Sequence, residues 1–212
     1  MPAIMTDTPN LLTTLQSHAR AQGDLRCHLL PDRVITYRRF WARIERASAR
    51  LQGEWGIDEG DTVAYIGQGH PDALVLYFAL LRIGASLLPL EYPMPEYAQV
   101  VADNVTMRQP ALVLYDRVRP AIDLPSSPLH ALLALWCTHD PHPLFDDVRS
   151  PKLWLPGSAG WGEFSLDELT VAMDDRPSAD LVGLSIFTQA SLCRIVLPSL
   201  RLGLPMRFAV FT

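Results

Sequence analysis

Residues 61–90 decide the fold. They read Asp61-Thr-Val-Ala-Tyr-Ile66, then Pro71-Asp72, the apolar run Ala73-Leu-Val-Leu-Tyr-Phe-Ala-Leu-Leu81, Gly84, and Ser86-Leu-Leu-Pro-Leu90. The first stretch is short and rich in β-formers, which predicts a strand. Pro71 and Asp72 suit a first helical turn, where a missing N–H costs nothing and a negative charge meets the helix dipole. Gly84 predicts the stop, with positive φ and an immediate turn into the next strand at 86–90, where Pro89 is the one residue that argues against a strand. The apolar run lies between Asp72 and Arg82 and is too short to span a bilayer, so it predicts a buried helix.

Working outward, residues 11–21 read as an opening helix. Thr36 reads as the cap of a second, with Tyr37, Phe40, Trp41, Ile44, Ala47 and Leu51 at helical spacing and Gly53 and Gly56 marking its end. Beyond residue 90 a helix is expected over 95–104 and a strand over 111–115. Strands that alternate with helices predict an α/β fold, a layered parallel or mixed sheet with crossover helices. Pro120, Pro125, Pro128, Pro141 and Pro143 crowd the next stretch, leaving 129–137 as its one helical segment. The pattern then resumes with a strand at 152–155, a tight loop at 157–160 and a Ser165/Glu168 capping box opening a helix to about 174. A strand at 181–187, a helix at 189–202 stopped by Gly203, and a strand at 206–211 complete it. The chain thus divides into 1–115, an irregular Pro-rich connection at 116–150, and 151–212 as a second α/β segment of the same domain.

Composition excludes several classes. Of 212 residues 49% are hydrophobic and 19% charged, too apolar for a disordered chain. A net charge of −5 argues against a general nucleic-acid binder. Cys27, Cys137 and Cys193 show no metal-ligand spacing, and an odd number without a secretory signal predicts reduced thiols and a cytoplasmic protein with no membrane anchor. Phe208 and Phe211 are expected on an uncovered edge strand at 206–211. That edge predicts a homo-oligomer or a protein partner.

Three motifs resemble one family. Ile35-Thr-Tyr-Arg-Arg-Phe40 is similar to T-Y-x-E-L, the first core motif of the adenylate-forming superfamily of acyl and aryl acid ligases. Gly56-Ile-Asp-Glu-Gly-Asp-Thr-Val-Ala64 resembles its G-[VI]-x-x-G-D-x-V-A segment, and Leu81-Arg-Ile-Gly-Ala-Ser-Leu-Leu-Pro-Leu-Glu91 its second core motif, K-x-G-A-x-x-x-P-L. The resemblance covers about residues 10–115 and implies an incomplete version of the family's N-terminal large domain. It implies ATP and magnesium as well, held in the family by a loop of the form T-S-G-T-T-G-x-P-K-G, a string this sequence does not contain. The nearest stretch is 155–162, which reads as an ordinary Gly-rich turn and, secondarily, as a degenerate phosphate loop offering Gly157, Ser158 and Gly160 to a ligand. Among 18 lysines and arginines, Lys152 is the one lysine, and it precedes the turn. A later family segment, in which a phenylalanine and histidine end a strand beside the substrate pocket, aligns with Phe187 and Thr188. Phe187 therefore reads as a pocket residue or a core residue. The family's later adenine, magnesium and ribose motifs and its C-terminal domain have no counterpart here. The expectation is a relative not active alone, with no catalytic residue inherited, that binds a partner protein or a small acyl or aryl ligand. The alternative is a subunit of a split ligase whose nucleotide-binding part is on another chain.

Other constellations read as structural. His139 and His142 with Asp146 and Asp147 suggest an exposed Pro-rich loop before a metal site. His70 leads into a helix rather than acting as a base, and Ser158 lacks the G-x-S-x-G setting of a nucleophile. Arg38, Arg39, Arg43 and Arg46 form a solvated helix face or, less simply, an anion site.

Overall fold

A computed structural model describes residues 10–91, 97–134, 151–157, 160–175, 177 and 185–208. Helix α1 (Leu11–Ala21) starts at Asn10, whose side chain accepts from the Leu12 N–H at 2.9 Å. Strands β1 (Arg26–Leu29) and β2 (Val34–Thr36) form an antiparallel hairpin that sequence reading did not anticipate. Thr36 caps α2 (Tyr37–Trp55) as expected, but Gly53 lies within the helix and Gly56, at φ 63°, ends it. Then follow β3 (Thr62–Gly67), α3 (Pro71–Ile83), β4 (Ser86–Glu91), α4 (Tyr97–Arg108) and β5 (Leu112–Tyr115). Gly84 ends α3 at φ 79° and ψ 14°, as its position predicts.

The Pro-rich stretch contributes β6 (Ser126–Pro128) and a short α5 (Leu129–Leu132). Strands β7 (Lys152–Gly157) and β8 (Gly160–Ser165) form a hairpin, and α6 (Leu166–Val171) follows. Its capping box is present, with the Glu168 N–H donating to Ser165 Oγ and the Ser165 N–H to Glu168 Oε2. Residues 185–187, expected in a strand, are irregular instead, and 181–184 lie outside the described residues. The next helix has three parts, α7 (Gln189–Ser191), a π-helical turn (Leu192–Val196) and α8 (Leu197–Leu202), ending at Gly203 with φ 70°. Pro198 supplies the reason. It has no N–H and its ring crowds the carbonyl four residues back, so the regular ladder widens before it. Strand β9 (Met206–Arg207) closes the described chain.

Among the described residues six strands form the main sheet in the order β6-β5-β3-β4-β7-β8, parallel except for β8. Pro89 sits in central β4, in register with Tyr65. Backbone groups alternate sides along a strand, so Pro89 shares Leu87's side, facing β7, and the ladder there is the single pair Leu87–Leu153. One sheet face, with Val63, Tyr65 and Leu87, packs on α2 and α3. The other, with Ala64, Ile66, Leu88, Leu90 and Val113, packs on Val101 and Val105 of α4. Helix α3 is buried all round, which explains its unbroken apolar sequence.

The small second sheet, β2-β1-β9, joins distant parts of the chain, with β9 parallel to β1 and at its edge. The Tyr37 hydroxyl reinforces the closure by donating to the Leu204 carbonyl at 3.0 Å. Phe208 does not lie on an open edge as expected. It is 6% exposed, with its ring 5.2 Å from that of His28; Phe211 lies outside the described residues. No described helix is long and apolar enough to cross a membrane.

Candidate functional site at the carboxyl edge of the main sheet

Strands β3 and β4 end side by side, Gly67 in register with Glu91. From β3 the chain passes to α3 on one face, and from β4 to α4 on the other. Diverging connections of this kind open a crevice outside the carboxyl ends of parallel strands, where α/β sheets bind ligands. Two glycines permit the close packing at this point. A Cβ on Gly67 would meet the Tyr65 hydroxyl at 2.4 Å and Asp116 Cβ at 2.7 Å, and one on Gly69 would meet Glu91 Oε1 at 2.8 Å. His70 then caps α3, its Nδ1 accepting from the Asp72 N–H at 3.2 Å.

Glu91 is the chemical centre of the edge. It is 4% exposed. Its Oε2 accepts from the Phe187 N–H at 3.2 Å and from the Ser185 hydroxyl. Oε1 is buried and has no hydrogen-bond partner among the described residues. Burial raises the Glu91 pKa to about 7 against the opposing pull of the Phe187 and Ile186 N–H groups. Near neutral pH the carboxyl therefore divides between protonated and ionised forms, able to donate from Oε1 in the first and only to accept in the second. It also fastens residues 185–187 to the sheet immediately before Thr188, whose hydroxyl caps α7 by accepting from the Ser191 N–H at 3.1 Å.

The residues singled out from sequence fall around this edge unequally. Strand β7 runs parallel to β4, so Gly157 ends it at the same carboxyl edge. Gly157 and Gly160 face each other across the hairpin and are exposed, and Gly160 takes φ 112°, a conformation that requires glycine. Ser158 lies outside the described residues. Phe187 meets Glu91 through its backbone, while its side chain is 1% exposed and packs edge-on against Tyr77, with centroids 6.1 Å apart. Its ring is a core element. Sequence reasoning assigns Glu91 no role, and the signal that marks it is a carboxylate ending an otherwise apolar central strand.

Lys152 begins β7, opposite Ser165. Five residues of extended strand set it roughly 16 Å from the hairpin turn, well beyond the reach of its side chain. The turn therefore does not offer a lysine to ATP phosphates. Among the described residues no group of three His, Cys, Asp or Glu side chains is placed to hold a metal ion. His139, His142, Asp146 and Asp147 lie outside them.

A layered parallel sheet with helices on both faces, its carboxyl edge lined by backbone turns and one perturbed carboxyl, has the α/β fold of the N-terminal subdomains of adenylate-forming enzymes. Comparison with known proteins points the same way: residues 15–113 match the AMP-binding enzyme family. It is 30% identical over 91 residues to an indoleacetate–CoA ligase of Aromatoleum aromaticum, covering 42% of this chain and 18% of that one. It is 25% identical over 170 residues to the fatty acid–[acyl-carrier-protein] ligase ScoC of Streptomyces coeruleorubidus, covering 72% and 32%. The chain thus spans less than a third of the length of either relative. The fold matches the N-terminal subdomain of Klebsiella oxytoca NpsA, solved in complex with 3-hydroxyanthranilyl-AMSN, with a TM-score of 0.77 at 19% identity over 99% of this chain and 56% of that one. It also matches unliganded O-succinylbenzoate coenzyme A synthetase (MenE) of Bacillus subtilis, with a TM-score of 0.73 at 12% identity over 92% and 45%.

Proposed function

We propose that this chain binds a small acyl or aryl carboxylic acid at the carboxyl edge of its main sheet and does not, alone, activate that acid with ATP. The observation that carries the binding half is the convergence of the 67–70 turn, Glu91 and residues 185–188 where the connections of β3 and β4 diverge. The inactive half is supported by Lys152, which stands at the opposite end of β7 from the Gly157–Gly160 turn. The two sequence relatives, an indoleacetate–CoA ligase and a fatty acid–[acyl-carrier-protein] ligase, suggest the ligand class. A second copy or another protein chain, meeting this one through the C-terminal strand β9, is the proposed partner.

Calorimetric titration with a panel of acyl and aryl acids, alongside a pyrophosphate-release assay with ATP and magnesium, tests both halves. The expected result is saturable binding of at least one acid and no acid-dependent pyrophosphate. Failure of every acid to bind would remove the first half, and pyrophosphate release by the chain alone would remove the second. Release only when a separate nucleotide-binding polypeptide is added would identify the chain as part of a split ligase.

A further inference from the structure

We propose that the chain carries a second ligand site, distinct from the sheet edge: a groove over β2 and the first half of α2 that takes a small ligand bearing two or more phosphate groups. The groove encloses about 530 Å³ and is lined by Arg33, Arg39, Arg43 and Arg46 around the apolar Ile35 and Ala42. That volume suits a small molecule better than a protein segment. Among the described residues no acidic side chain lines it. Asp72, outside the lining, pairs with Arg43 at 2.7 Å.

The arrangement is more than a solvated helix face. Arg39, Arg43 and Arg46 recur at four- and three-residue spacing on α2, which sets three guanidinium groups along one side of the helix. Arg33, from the β1–β2 hairpin, adds a fourth positive charge from a different element. Arg38, grouped with them by sequence alone, points elsewhere and lies 3.5 Å from Asp24. The apolar floor lowers the local dielectric, so an anion between these guanidinium groups gains more than it would on an open surface. Guanidinium forks match phosphate oxygens in pairs. From Arg39 to Arg46 the helix rises roughly 10 Å, which spans two or three linked phosphates rather than one.

Titration calorimetry with tripolyphosphate at about 50 mM and about 300 mM salt tests the site. Binding at low salt that weakens at high salt is expected. Arg33→Gln with Arg39→Gln, both exposed positions, should weaken it roughly tenfold or more with an unchanged circular dichroism spectrum. A control pair of exposed arginines outside the groove, Arg20→Gln with Arg119→Gln, should bind as the parent does. Phosphatidylcholine vesicles with and without phosphatidylinositol bisphosphate form a second arm. Sedimentation that needs the bisphosphate and is competed by tripolyphosphate assigns a lipid headgroup, whereas binding of tripolyphosphate alone assigns a free phosphate ester. No binding by the parent chain, or equal losses in the groove and control pairs, would overturn the proposal.

Discussion

His28 and Glu91, two of the buried ionisable side chains, are handled in opposite ways. His28, on β1 of the small sheet, is fully buried, with its ring 4.5 Å from that of Phe40 and 5.2 Å from that of Phe208. Neither of its ring nitrogens has a hydrogen-bond partner among the described residues. Burial, then the charges of Arg43 and His70, lower its pKa to about 3. Glu91, at the edge of the main sheet, is nearly as buried, yet one of its oxygens binds two donors and its pKa stands at about 7. His28 is thus packed as a neutral aromatic ring and belongs to the scaffold. Glu91 is held by polar groups at a strand end, at the edge proposed to bind the ligand. Burial alone does not separate the two roles, but the hydrogen-bonding partners do.

The largest effect that can break this comparison is acid destabilisation through His28. Its folded pKa lies below the ordinary 6.5, so its contribution is full above pH 6.5 and is lost as pH falls toward 3, by several kcal/mol in all. Denaturant melts across that range should show this loss, and His28→Phe should flatten it. Equal acid limbs in the two proteins would mean that the ring is solvated. Glu91 has the opposite sign. Its raised folded pKa makes its contribution full below 4.5 and lost as pH rises to 7, on the order of 3 kcal/mol. Glu91→Gln should abolish that fall in stability between pH 4.5 and 7.

Smaller effects sharpen the geometry. Gly69→Ala places a methyl group 2.8 Å from Glu91 Oε1 and 3.3 Å from the Ile186 N. It should cost about 2 kcal/mol and shift the apparent Glu91 pKa, as read from pH-dependent melting. Gly84→Val, remote from both groups, should cost about 1 kcal/mol through its left-handed backbone alone and leave both pH limbs unchanged. A shifted limb there would show that the two regions are mechanically coupled.

Much of the scaffold was legible because it obeys local rules. Thr36, Gly56, Gly84, Ser165 with Glu168, and Gly203 all cap the helices they were expected to cap or end. Three of the strands that escaped notice, β1, β6 and β8, are held by neighbours rather than by their own residues. β1 carries Arg26 and His28, β6 is Ser-Ser-Pro, and β8 contains two glycines; each is identified by its pairing, not by its propensity. The site was legible only in part for a similar reason. Gly157 and Gly160 announced a turn, but Glu91 acquires its meaning from Ser185 and Phe187, 94 and 96 residues away. The arginine groove likewise needs Arg33 from a hairpin that the pattern did not reveal.

Amide hydrogen exchange with and without a saturating carboxylic acid tests most directly whether the acid binds at the carboxyl edge of the main sheet. Protection should rise at residues 68–70 and 185–188 and stay unchanged in the β1–β2 hairpin around His28. Unaltered exchange at the edge under saturating acid, or protection confined to the small sheet, would contradict it.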